Sequence, residues 1–118
     1  MKLEQQVVSL ELAKKLKELG VKQESLFYWT KLDLKDWEIQ QGIEEYSADY
    51  FGESIPSDGI SAYTVAELGE MLLDNIVTSR HGKQWYTTHE NRRVTAPTEA
   101  GSKAMMLIYL AENGLLKN

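Results

Sequence analysis

All three arginines of this chain fall between Arg80 and Arg93, in a segment that also holds Lys83 and only one acid, Glu90. Arginine presents a planar fork of donors that suits phosphate or carboxylate. Trp85 and Tyr86 lie inside the same segment. If it is a strand, they point to opposite faces, so one faces the core and the other is free to stack on a base or cover a ligand. Arg80, His81, Lys83, Trp85, Tyr86, Arg92 and Arg93 are therefore the candidate ligand-binding residues, and they suit an anionic small molecule of nucleotide type or an acidic partner. The same residues also fit a solvated hairpin whose cations balance an acidic stretch elsewhere. That stretch runs from Asp33 to Asp58, with eight acids and one base, Lys35.

Catalytic chemistry finds little support. The chain has no cysteine, which removes disulfides, thiolate metal sites and cysteine nucleophiles and suits a reducing compartment. The only histidines, His81 and His89, are eight residues apart and lack ligand-type partners at helical spacing, so no metal and no cofactor is expected. The eight glycines are isolated, so no phosphate-cradling loop or nucleophile elbow is present. Carboxylates between Asp33 and Asp58 would do acid–base work only if burial separated their pKa values, and an acid-rich stretch is more often a solvated face. The chain is expected not to be an enzyme.

The elements that must position these residues follow from local patterns. Ser9 to Leu19 reads as a helix with Leu12, Ala13, Leu16 and Leu19 on one face, Ser9 as N-cap and Gly20 as the closing glycine. Glu11 and Lys15 are spaced as a favourable pair. Leu26 to Thr30 and Trp37 to Tyr46 read as strands, with Gly42 a bulge or turn, and Trp29 and Trp37 as core. Ser47 to Gly59 reads as a loop. Thr64 and Glu67 form a capping box, flanked by Tyr63 and Leu68 as a hydrophobic staple. The helix they open should run from about Val65 to Leu73, with Val65, Leu68, Leu72 and Ile76 as its buried stripe. Gln84 to Thr88 and Arg93 to Thr95 read as a hairpin turning near Glu90-Asn91. Pro97 suits the first position of a last helix, with Ala100, Ala104, Leu107, Ile108 and Ala111 inward and Gly114 at its end. The resulting order, α-β-β-α-β-β-α, predicts an α+β fold in which a small antiparallel sheet packs with about three helices.

The 118 residues fit one domain, 1–118, with an ordinary 42% hydrophobic and 26% charged content. The first residues do not resemble a signal peptide, and the longest apolar run, Ala104 to Ala111, is too short for a bilayer, so a soluble, cytoplasmic protein without membrane contact is expected. The net charge of −5 opposes non-specific nucleic-acid binding. Glu11 to Val21 superficially resembles the start of a helix-turn-helix, but Ser25 to Trp29 follows as a strand where a basic recognition helix belongs.

Three stretches, Ser9 to Trp29 (SLELAKKLKELGVKQESLFYW), Ser61 to Leu72 (SAYTVAELGEML) and Lys103 to Leu116 (KAMMLIYLAENGLL), together resemble small phage and prophage proteins of uncharacterised function. The likeness covers about two-fifths of the chain and lies in helix and core patterns. Lys31 to Gly59 and Asn75 to Ser102 lie outside it, and no catalytic residue is carried over. The resemblance implies a phage protein expressed in the host bacterial cytoplasm. It implies action by binding: sequestering a nucleotide-type signal of host immunity as an anti-defence sponge, with a homo-oligomer expected of that class. The alternative is a protein–protein inhibitor or assembly factor that docks on a host protein through the acidic face, with Glu44, Glu45 and Asp49 central. A DNA-associated accessory protein is the third reading.

Overall fold

Thr64 shows how local chemistry sets this fold. Its hydroxyl accepts from the Glu67 N–H at 3.2 Å, and its own N–H donates to the Glu67 carboxylate at 2.9 Å. The capping box opens a helix at Val65, and Tyr63 and Leu68 are both buried beside it. The computed structural model describes residues 3–23, 25–31, 37–41, 59–72 and 76–115.

In chain order the elements are α1 (Leu3–Gln6), α2 (Leu10–Glu18), β1 (Phe27–Lys31), β2 (Trp37–Gln41), β3 (Ile60–Ser61), α3 (Val65–Met71), β4 (Val77–His81), β5 (Gln84–His89), β6 (Arg92–Ala96) and α4 (Glu99–Glu112). The class is α+β and the expected order holds. The strands divide into two antiparallel sheets, ordered β2-β1-β3 and β4-β5-β6. Each sheet gains a strand that periodicity does not reveal: β3 has two residues, and β4 is almost wholly exposed.

α2 starts at the Ser9 cap and buries Ala13 and Leu16. Gly20 takes a left-handed φ of +82°, and the N–H groups of Gly20 and Val21 return to the carbonyls of Lys17 and Leu16. Lys15 reaches Glu112 of α4 at 3.7 Å, an exposed contact of little energetic weight. In the first sheet β1 pairs with β2 and β3, Trp29 opposing Ile39 and Ile60. Trp29 and Trp37 pack against the core, and the Trp29 indole donates to the Val8 carbonyl at 2.9 Å. The proposed strand beyond Gln41, the Gly42 bulge and most of the Ser47–Gly59 loop lie outside the described residues.

Two expectations are revised. Ile76 does not extend the stripe of α3; the described helix ends at Met71, and Ile76 leads into β4 while packing on the same core. Pro97 is not the first residue of α4. Thr98 is the cap, its hydroxyl accepting from the Gly101 N–H at 2.9 Å, so Pro97 stands one position before it. A side-chain cap satisfies a free donor, and that gain outweighs the neutral fit of proline at the first turn.

α4 is the centre of the molecule. Ala100, Gly101, Ser102, Ala104, Met106, Leu107 and Leu110 are buried, which is wider than one face, because α2, α3 and the second sheet all pack on it. Ile108 and Ala111 are only partly covered. One buried cluster contains Leu16, Ile60, Leu68, Val94 and Leu107, so both sheets share a single core. Among the described residues no helix is long and apolar enough to cross a membrane.

The β5–β6 turn holds Glu90 at a φ of +53°, the one non-glycine residue with positive φ among those described. Only glycine takes this region without a Cβ penalty. Glu90→Gly is expected to stabilise the protein by about 0.5 kcal/mol, the strain relieved exceeding the entropy lost. A urea midpoint unchanged or lowered in that variant would contradict the strain.

Candidate ligand-binding site

The register of the second sheet sorts the candidate residues. Arg80 opposes Trp85, Thr87 opposes Val94, and His89 opposes Arg92. With side chains alternating across a strand, these residues share one face. That face meets α4: the buried Thr87 and Ser102 hydroxyls lie 2.8 Å apart, and the Arg92 guanidinium sits 4.8 Å over the Tyr109 ring. Thr78 extends the hydroxyl chain from β4, 3.1 Å from Thr87.

Tyr86 points the other way. On that outer face His81 meets its ring edge-on at 5.4 Å, and the Arg93 guanidinium lies 5.6 Å from its centroid. Lys83 sits in the two-residue turn with Gly82, whose φ is +63°. The seven residues proposed from sequence therefore form no single cluster. Arg80 and Trp85 stand together at one end of the α4-facing side, and Arg92 stands at the other. His81, Tyr86 and Arg93 share the outer face, and Lys83 caps the β4–β5 turn.

The expectation that one aromatic faces inward and one outward holds in direction. Trp85 is on the α4 side and Tyr86 outside, yet each is only partly covered. Trp85 stays partly open because it lines a recess of about 240 Å³ at the head of α4, with Gln5, Val65, Arg80, Pro97, Thr98 and Glu99. The Arg80 guanidinium is 5.7 Å from the Trp85 ring. Its Nε donates to the Gly82 carbonyl at 3.0 Å, which engages one of the five donors of this exposed side chain. Glu99 would repel an anion, but Lys103 holds its carboxylate at 3.0 Å. The start of a 14-residue helix adds partial positive charge.

A second recess, about 250 Å³, lies at the opposite end between His89, Glu90, Asn91, Arg92, Tyr109 and Leu115. His89 is buried and its Nδ1 has no hydrogen-bond partner among the described residues. This recess sits by the last turn of α4, where carbonyl dipoles favour cations, and Arg92 already meets that field. Glu90 adds a negative charge there. Sign alone therefore favours the Arg80–Trp85 recess for an anionic ligand.

Sequence reasoning found Arg80 and Trp85 but not their pairing, which depends on the unrecognised β4. It also missed Val65, Thr98 and Glu99 as lining residues. The Thr98-to-Gly101 cap spacing was the available signal. Among the described residues no group of three or more histidines and carboxylates could hold a metal ion. Of the acidic stretch, Glu38 is the one acid among the described residues, so the Glu44, Glu45 and Asp49 face lies outside them. No family model matches the chain, and neither does any curated protein or solved structure.

Proposed function

We propose that this protein acts by binding, without catalysis, and that it holds a nucleotide-type anion in the Arg80–Trp85 recess. The observation that carries this reading is the Arg80 guanidinium beside the exposed part of Trp85, in a concave site at a helix start. Such a site offers a stacking surface for a base and charge-assisted donors for a phosphate. Its volume is below the range of about 300–1,000 Å³ usual for drug-sized ligands, so it grips one end of a nucleotide and leaves the rest exposed. Lys83, in the β4–β5 turn, adds a further positive charge at this end of the sheet.

We propose a phage setting as well, on the resemblance read in three helix-and-core stretches. In that setting the protein is a phage accessory factor in the bacterial cytoplasm, sequestering a nucleotide signal of host immunity. Isothermal calorimetry with ADP-ribose and with a cyclic dinucleotide tests the reading. Micromolar binding is expected for at least one. Arg80→Ala and Trp85→Ala should each weaken it about tenfold or more, the loss of one charge-assisted contact or one stacked base. Arg93→Ala, on the outer face, should leave it unchanged. Absence of heat at high micromolar ligand would overturn the reading; sensitivity to Arg93 but not Arg80 would move the site to Tyr86.

A further inference from the structure

We infer that β4 is a dimerisation edge, and that twofold pairing of β4 with β4 of a second copy joins two Arg80–Trp85 recesses into one site for a ligand bearing two phosphates. The first half stands on the sheet alone. The second rests on the proposed reading of the recess.

β4 is an outer strand of its sheet, and among the described residues no strand lies beyond it. An open edge presents unpaired N–H and C=O groups, and their natural occupant is another strand. Edges are normally blunted by proline, a bulge, lysine or an inward charge. Val77-Thr78-Ser79-Arg80-His81 contains no proline, lysine or acid, and its pairing with β5 runs without a bulge; its one permanent charge, Arg80, faces α4 and opposes self-pairing until an anion neutralises it. Val77 is 64% exposed, an apolar side chain left uncovered at this edge.

The register of such a pair follows from hydrogen-bond alternation. The two-residue turn makes His81–Gln84 a hydrogen-bonded pair, so Ser79 and Val77 also direct their backbone groups toward β5. Thr78 and Arg80 then direct theirs outward. An antiparallel twofold pairing that uses them is centred on Ser79. Thr78 of each copy meets Arg80 of the other through four backbone bonds, and the two Ser79 residues form the closer, non-hydrogen-bonded pair. On the outer face Val77 meets the partner's His81, which covers the exposed valine. The other edge suits this less well: β6 carries two permanent charges, Arg92 and Arg93, against one on β4, and runs into Pro97, which has no N–H to offer a longer ladder.

The α4-facing side gains most. In this register the two Arg80 residues are diagonal neighbours, about 7–8 Å apart, on the side where each lines its recess. That spacing is between strand positions, and each guanidinium leans over its own Trp85, so the two cations flank the seam and repel across it until anions meet them. A ligand with two phosphates and two bases answers that demand, one phosphate per Arg80 and one base per Trp85.

Sedimentation velocity on the full chain and on two variants tests the edge. The wild type is expected to show a reversible dimer of the 13.5 kDa chain at micromolar concentration. Ser79→Lys sets two like charges on the twofold axis at an exposed position, and should weaken the dimer tenfold or more. Ser79→Cys introduces the chain's sole cysteine, and should cross-link under mild oxidation to a disulfide dimer. A wild type that stays monomeric at high micromolar concentration overturns the edge, as does a dimer that survives Ser79→Lys and fails to cross-link. Calorimetry with a cyclic dinucleotide then tests the composite site: one ligand per two chains supports it, and one per chain on a verified dimer overturns it. A monomer that binds ADP-ribose through Arg80 leaves the proposed function standing without the edge. A dimer that binds neither nucleotide leaves the edge standing without that function.

Discussion

Gly101→Ala is expected to destabilise the protein by about 1–3 kcal/mol, the cost of overpacking a filled site and weakening a cap. The same change in an open helix stabilises by about 1 kcal/mol, so the sign itself is diagnostic. Gly101 lies in the first turn of α4 and is buried. A Cβ there would stand 2.9 Å from the Thr98 hydroxyl and 3.0 Å from the Cβ of Ala96. Neither neighbour yields easily: Ala96 is buried on β6, and the Thr98 hydroxyl is the acceptor that caps the helix. Relief requires α4 to move away from β6 or the cap bond to break. Both displace Thr98, which lines the Arg80–Trp85 recess, so ligand affinity should fall with stability. Urea denaturation checks the first effect through the midpoint. A midpoint equal to or above the wild type would mean that the helix does not pack on β6 as closely as described.

Glu67→Ala should cost about 2–4 kcal/mol, for the loss of several charge-assisted hydrogen bonds at once. The Glu67 carboxylate accepts from the Thr64 N–H at 2.9 Å, the Ser25 hydroxyl at 2.9 Å and the Leu26 N–H at 3.2 Å. It is thus both half of a capping box and a clamp that ties α3 to the chain entering β1. The single Ser25 proton has the Ala62 carbonyl, at 3.3 Å, as a competing and longer acceptor, so the clamp is a shared network. Double substitution with Ser25→Ala should therefore lose less than the sum of the two singles. Full additivity would show that the Ser25 contact carries no energy.

The capping box was readable in the sequence because its chemistry is local: Thr64 and Glu67 are three residues apart. Its second role was not, since Ser25 and Leu26 come to Glu67 only when β1 and α3 pack. The glycine ends of α2 and α4 were equally local, and both Gly20 and Gly114 take positive φ. β4 escaped notice for a physical reason. An exposed edge strand has no buried face, so Val77 to His81 lacks the alternation that marks a half-buried strand. That omission carried into the site. Trp85 and Tyr86 could be assigned to opposite faces from spacing alone, but the partner of each depended on β4 register. Arg80 went to Trp85, and His81 went to Tyr86. Met106 and Leu110 were missed as core because the sequence pattern presumes one buried face, and α4 is packed from several sides.

On the proposed function, Arg80, Trp85 and the head of α4 form one anion-binding recess. Nitrogen-15 NMR of the wild-type chain titrated with ADP-ribose tests it most directly. The account predicts that the Arg80 side-chain Nε–H, the Trp85 indole N–H and the backbone amides of Thr98 and Glu99 shift first and saturate together. Shifts confined to Tyr86 and Arg93, or none at saturating ligand, would contradict it.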